Sequence, residues 1–258
     1  MKNVLEIHQL HIALTTRSGK REIVHGVDLQ IGHGEALALV GESGSGKSIT
    51  AQAILQLLAP QVHITSGSIL FEGEDLLQKT PEEMRQIRGS KVGMIFQDPM
   101  TSLNPTMTIG KQVAEVLMLH QRLPYAIAKQ ETIDLLRLVQ IEKPVERFNA
   151  YPFQLSGGMR QRVLIAMAIA CKPTLLIADE PTTALDATIQ AQIINLLRSL
   201  KKTFNMSLLF ITHDLAVAAA LCDRAAVMYQ GKIVEEGPID ILFSNPTHTY
   251  TKDLLIPY

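Results

Sequence analysis

Eight consecutive residues, Gly41-Glu42-Ser43-Gly44-Ser45-Gly46-Lys47-Ser48, fit the spacing GxxxxGK[ST]. Glycines at this spacing let the backbone curl so that its N–H groups turn inward on a phosphate. Lys47 can then reach the β and γ phosphates, and Ser48 can offer its hydroxyl to Mg²⁺. The plain alternative is a surface turn with an incidental lysine. With glycine at about 7% of residues, a chance match in a chain of this length is on the order of one per cent. A second set of residues suits the same chemistry. "LLIADE" ends in Asp179, which can hold Mg²⁺ through its water shell, and Glu180, which can polarise an attacking water. Alone it would read as a strand ending in two solvated acids; beside a phosphate loop it reads as a hydrolysis site. A third stretch, "QLSGGMRQRVLIAMAIA" from 154 to 170, opens an apolar helix with Ser156, Gly157 and Gly158 and places Arg160 and Arg162 in its first turns. A helix N-terminus favours anions, so this too suits phosphate. One chain thus carries two phosphate-binding signatures.

These residues need elements to position them. The run "EALALVG" is a short apolar strand ending at the loop, and residues 48 to 58 read as the helix that follows it. "VLEIHQLHIAL" and "IVHGVDLQI" alternate and flank the polar "TTRSGKRE", as two strands of a hairpin would. "SGSILFEGEDLL" reads as strand and turn. Thr80, Pro81 and Glu83 form a helix start with N-cap, first-position proline and capping box. "KVGMIF", "TLLIAD", "SLLFIT" and "AAVMY" are further buried strands, while 107 to 170 is almost wholly helical. Strands alternating with helices imply a parallel sheet, and ligands of such sheets sit at the carboxyl ends of the strands.

Bulk properties exclude several classes. The chain has 258 residues, enough for one large domain or two small ones. Its 24 basic and 25 acidic residues nearly cancel, which argues against a dedicated nucleic-acid binder. Two cysteines, Cys171 and Cys222, are too few for a disulfide framework and suit a reducing compartment. The longest apolar run, Val163 to Cys171, is far short of the roughly 20 residues that cross a bilayer. The N-terminal "MKNVLEIHQL" has no stretch of signal-peptide type. Any membrane role is expected to run through a partner.

The ordered set GESGSGKS, Gln97 in "IFQDP", "LSGGM", "LLIADE", "TALD" and His213 in "ITHDL" resembles the nucleotide-binding subunits of ABC transporters over nearly the whole chain. The resemblance implies an α/β fold: a P-loop NTPase (RecA-like) core, an N-terminal antiparallel β subdomain, and an inserted α-helical subdomain carrying LSGG. The core with its β subdomain is expected at 1–97 and 171–240, the helical subdomain at 98–170 and a C-terminal extension at 241–258. It also implies that two such subunits face each other head to tail. Each ATP then lies on one subunit's loop and is closed over by the other's LSGG helix. Ser156, Gly157 and Gly158 would touch the γ phosphate of the partner's ATP, which accounts for the second signature. Gln97 is similar to the glutamine that touches Mg²⁺ or water and links the core to the helical insert. His213 is similar to the switch histidine that contacts the γ phosphate. Asp186 is similar to the aspartate at the dimer seam, and is equally suited to capping a helix.

Within the family, "GESGSGKS", "IFQDPMTSLNP", "YPFQLSGGMRQRV" and "PTHTYTKDLL" resemble the oligopeptide, dipeptide and nickel importers. This implies a second, different ATPase chain, two transmembrane permeases and an extracytoplasmic solute-binding protein as partners. It also implies a peripheral place on the cytoplasmic face of the inner membrane, and no nucleic acid. Peptide-type members often carry a cysteine cluster beyond the point where this chain stops, which leans the expectation toward nickel or a metal chelate, with di- or oligopeptides as the alternative. A soluble ABC ATPase of DNA repair or of the ribosome would need a very long coiled-coil insertion or two ATPase units, and this sequence has neither. A regulatory subunit without turnover would be expected to lack Glu180 or His213. Two departures stand out. Phe153 occupies a position where histidine is common. Leu14 occupies the position of the aromatic residue that usually stacks on adenine, leaving His11, Arg17 or a partner's ring as substitutes.

Overall fold

The computed structural model describes residues 3–16, 19–183 and 185–255, with only the backbone of Pro99 and Met100. Two compact units are present. One joins Met1–Met84 to Ser207–Tyr258, and the other is Arg85–Met206.

In the first unit, β1 (Asn3–Thr16) and β2 (Gly19–Gly32) form the antiparallel hairpin expected from their alternation. Val4, Ile7, Leu10, Ile12, Val24 and Val27 are fully buried along it. β3 (Ala36–Val40) follows, then α1 (Lys47–Ile54). β4 (Val62–Phe71) pairs with the free edge of β1, and the short β5 (Glu74–Asp75) completes a four-stranded antiparallel sheet ordered β2-β1-β4-β5. β4 starts before the apolar run Ile69–Phe71, with a first half that is half-buried or exposed and interrupted by polar residues. The start of α2 (Pro81–Ile87) has the expected capping box: the Thr80 N–H donates to Glu83 Oε2 (2.8 Å) and the Glu83 N–H to Thr80 Oγ1 (3.3 Å).

The second unit holds β6 (Val92–Ile95), α3 (Pro99–Ser102), α4 (Ile109–Gln121), α5 (Tyr125–Leu138), α6 (Pro144–Arg147), α7 (Gly157–Ile169), β7 (Leu175–Asp179) and α8 (Ala187–Phe204). β6 and β7 pair in parallel. The helices bury Val113, Leu117, Leu136, Phe148, Val163 and Ile165 among themselves. Each such side chain contributes about 1.5–3 kcal/mol relative to exposure.

The chain then returns to the first unit with β8 (Ser207–Thr212), α9 (Leu215–Leu221), β9 (Arg224–Tyr229), β10 (Lys232–Pro238), α10 (Ile239–Ser244) and α11 (Thr249–Leu255). β3 runs parallel to β8 on one side and to β9 on the other, with β10 antiparallel outside β9. Every residue of β3, β7 and β8 is buried, which is why these strands read as unbroken apolar runs. β10 escapes a sequence reading because its residues are half-buried or exposed and include two glutamates.

Candidate nucleotide-binding and hydrolysis site

The phosphate loop lies at the carboxyl end of β3. Gly41 takes φ 151°, and a Cβ there would stand 2.2 Å from the Met228 carbonyl oxygen, so no larger residue fits. The loop ends at Gly46, a left-handed N-cap that supplies no side-chain acceptor to α1. The N-cap therefore places no side chain of its own where an anion would sit at the start of α1. Lys47 is 4% exposed, and its ammonium donates to the carbonyls of Gly41 and Glu42 (2.8 Å each) and to Ser45 Oγ (3.5 Å). Glu42, Ser43 and Gly44 are exposed, Ser45 and Gly46 buried, and Ser48 half-buried in the first turn of α1. The register places His213 at the same edge. Val40 pairs with Thr212, so the residues after them emerge side by side. His213 is exposed there, while Asp214 caps α9 by accepting from the Val217 N–H (3.1 Å).

In the second unit the same register logic joins Gln97 and Glu180. Ile95 pairs with Ala178, so residues two further along each strand meet. Gln97 Nε2 donates to Glu180 Oε2 at 3.1 Å, and the Thr183 hydroxyl donates to the same oxygen at 2.9 Å. Glu180 has φ 45°, a left-handed conformation costing a non-glycine residue on the order of 1–2 kcal/mol. Those two donors hold the strained residue in one place. Asp179, just before it, is 3% exposed at the end of β7.

The helix α7 begins as its sequence suggests. Ser156 accepts the Met159 N–H on its hydroxyl (3.3 Å). Ser156 and Gly157 are exposed, but Gly158 is buried, and a Cβ on it would lie 2.7 Å from Ile189 Cγ2. Gly158 thus serves the packing of α7 on α8. Asp186 caps α8 through the Ile189 N–H at 2.9 Å. The two arginines turn inward: Arg160 Nε donates to the Pro152 carbonyl (2.7 Å), and Arg162, 8% exposed, donates to Val139 O, Gln140 Oε1 and Gln192 Oε1 (2.9–3.0 Å). Arg162→Met strands the buried Val139 carbonyl at about 1–3 kcal/mol, while the exposed Gln140 and Gln192 side chains can turn to water. We expect a loss of about 1–3 kcal/mol in unfolding free energy from denaturant titration. A loss under about 0.5 kcal/mol, the range of ordinary surface changes, would mean that the guanidinium is not holding these elements.

The sequence profile described as "ABC transporter" matches residues 24–183. The chain belongs to the ABC transporter family. The oligopeptide transport ATP-binding protein OppD of Bacillus subtilis (strain 168) is 53% identical over 253 residues, covering 98% of this chain and 71% of that protein. The dipeptide transport ATP-binding protein DppD of the same organism is 50% identical over 256 residues, covering 99% and 76%. Among solved structures, the dimeric ATP-binding cassette MJ0796 in a post-hydrolysis state bound to ADP and Pi superposes with a TM-score of 0.82 at 27% identity, over 91% of this chain and 98% of that one. The fold is the ABC cassette: an α/β P-loop NTPase with an antiparallel β subdomain and a helical insert. The protein is an ATP-hydrolysing transport ATPase.

Several parts of this ABC ATPase site were invisible to sequence reasoning. The turn after β9 braces the phosphate loop: the Gly231 N–H donates to Ser45 O (2.9 Å), and Met228 blocks Gly41. Tyr250 accepts the Glu42 N–H on its phenol oxygen at 2.8 Å. A cleft of about 690 Å³ opens beside Gly44, with Arg21, Glu22, His25 and Tyr229 among its walls. Leu14 is not one of them; it is half-buried and pairs with Arg21 and Val62. His11 is hydrogen-bonded to Glu22, and that bond, with a second from His25, holds the Glu22 carboxyl below its usual range despite some desolvation. Arg17 lies outside the described residues. Phe153 is 68% exposed and stacks on Tyr151 with ring centroids 5.6 Å apart.

Ser48 in the first unit carries a hydroxyl, and Gln97 and Asp179 in the second carry an amide oxygen and a carboxylate. They are hard oxygen donors of the type Mg²⁺ takes alongside water and phosphate. Among the described residues no group of three or more His, Cys, Asp or Glu is placed to hold a metal without such help. Each donor taken by itself is of a kind that fits magnesium.

Proposed function

We propose that this chain is the ATPase motor of an importer for di- or oligopeptides. The observation that carries the reading is identity of 50% or more, through almost the entire chain, to two proteins named for oligopeptide and dipeptide transport. The nickel or metal-chelate expectation rests on where the chain ends and gains no support from these names. In this reading Gly41, Glu42, Ser43, Gly44, Ser45, Gly46, Lys47 and Ser48 cradle the ATP phosphates. Glu180 orients water for in-line attack, Gln97 positions Glu180 and the metal, and His213 contacts the γ phosphate. Ser156, Gly157, Gly158 and Asp186 act on the nucleotide of a partner ATPase. Mg²⁺, held through Ser48, Gln97 and Asp179, would neutralise charge on the β and γ phosphates. The partners are a second, different ATPase chain, two permeases and an extracytoplasmic binding protein, with this subunit on the cytoplasmic face of the membrane. No helix among the described residues is long and apolar enough to cross a bilayer, so membrane attachment would run through the permeases.

The test is uptake by cells whose own copy carries Glu180→Gln. Accumulation of labelled di- and oligopeptides should fall to the level of a deletion strain, while radioactive nickel enters at the normal rate. Normal peptide uptake with loss of nickel uptake would overturn the assignment.

A further inference from the structure

We propose that Tyr250, presented by the C-terminal helix α11, is a positioning residue for the ATP-binding loop and acts by fixing the peptide group that aims Lys47. One peptide plane joins the two residues. The carbonyl of Gly41 and the N–H of Glu42 belong to the same planar unit. Its oxygen accepts Lys47 Nζ at 2.8 Å, and its N–H donates to the Tyr250 phenol oxygen at 2.8 Å. The plane is thus held at both ends, by the residue meant for phosphate and by a residue 208 positions further along. Hydrogen bonds joined through one peptide group polarise each other, so loss of one end loosens the other.

Tyr250 is itself immobilised. It is 8% exposed, and its ring stacks on Tyr229 with centroids 4.1 Å apart and planes at 29°. Tyr229 ends β9, immediately after the Met228 carbonyl that blocks Gly41. Burial raises the phenol's pKa, so it stays protonated. Its segment is tied down separately. Glu235 on β10 accepts the N–H and hydroxyl of Thr247 (2.8 Å each) and the N–H of His248 (3.1 Å). Burial alone would raise the Glu235 carboxyl, but the neighbouring Thr251 hydroxyl and the Thr247 and His248 donors hold it at about 2. The clamp is therefore fully charged at neutral pH. The "PTHTYT" stretch, which reads in sequence only as a family marker, becomes a strut between β10 and the phosphate loop.

The experiment is Tyr250→Phe in the full chain, with ATP and GTP titrated well below the unfolding midpoint so that only folded protein is measured. The ring stack survives, and only the acceptor for the Glu42 N–H is lost. Loss of one hydrogen bond should weaken ATP about 2–10-fold. GTP should weaken by the same factor, because the peptide plane bears on phosphate and not on the base. Tyr250→Ala should weaken both further. Phe148→Leu, a core truncation in the other unit, should lower stability and leave ATP affinity unchanged. Unchanged ATP affinity in Tyr250→Phe would overturn the proposal, and so would an equal loss in Phe148→Leu. The inference rests on Lys47 holding the triphosphate, which Lys47→Ala tests separately.

Discussion

Glu180→Gln should leave ATP bound and slow its hydrolysis by about 10²–10⁴-fold, the usual worth of general-base assistance. The substitution keeps the shape of the side chain. Its amide oxygen can still accept from Gln97 Nε2 and the Thr183 hydroxyl, which now hold Glu180 Oε2. What disappears is the negative charge that would draw a proton from the attacking water. The ground-state complex should therefore persist, and phosphate release in a single turnover, assayed with the proposed permease partners, should be the step that fails. Near-normal turnover would remove Glu180 from the reaction. A parallel fall in ATP affinity would point instead to a collapsed strand end, given the left-handed backbone at this residue.

Lys47→Ala should abolish measurable ATP binding by the isolated chain. Two effects add. The ammonium no longer meets the β and γ phosphates, and the carbonyls of Gly41 and Glu42 lose the donor that curls the loop. At about 1.5–3 kcal/mol for each charge-assisted hydrogen bond, two such bonds amount to about 3–6 kcal/mol, or roughly 10²–10⁴-fold in affinity. Ser156→Arg, by contrast, should leave this binding intact, because the Ser156 helix start is assigned to the nucleotide of a partner. If calorimetric titration finds Ser156→Arg as damaging as Lys47→Ala, the two signatures serve one nucleotide within one chain.

The contrast between these residues shows what a sequence makes legible here. Gly41 to Ser48 are contiguous, so their chemistry and their strand-to-helix setting can be read without knowing any tertiary contact. The same holds for Thr80 and Glu83, whose reciprocal bonds span three residues. Gln97 and Glu180 are visible as types, but their meeting depends on the β6–β7 register, which no local pattern encodes. Arg160 and Arg162 look like phosphate ligands because charge near a helix start suggests it, yet tertiary acceptors claim both. Gly158 reads as a place for close backbone approach, but that its missing Cβ also makes room for Ile189 shows only in the packing of α7 on α8. Met228 and Gly231 carry no signature and Tyr250 only a family marker, since each matters here through what a distant segment presses against it.

The backbone contacts around β3 have a consequence for synthesis on the ribosome. Gly34 finds its Ser207 partner 173 residues later, Ala36 bonds to Asp223 after 187, and Glu42 reaches Tyr250 after 208. At a translation rate of about 5–20 residues per second, the loop waits about 10–40 s for the strands and the tyrosine that brace it. During that interval Arg85–Met206, with the β6–β7 pair and helices α3–α8, has already been made. ATP therefore meets a fully braced loop only after Tyr250 has been made, and cannot stabilise the nascent polypeptide by mass action before then.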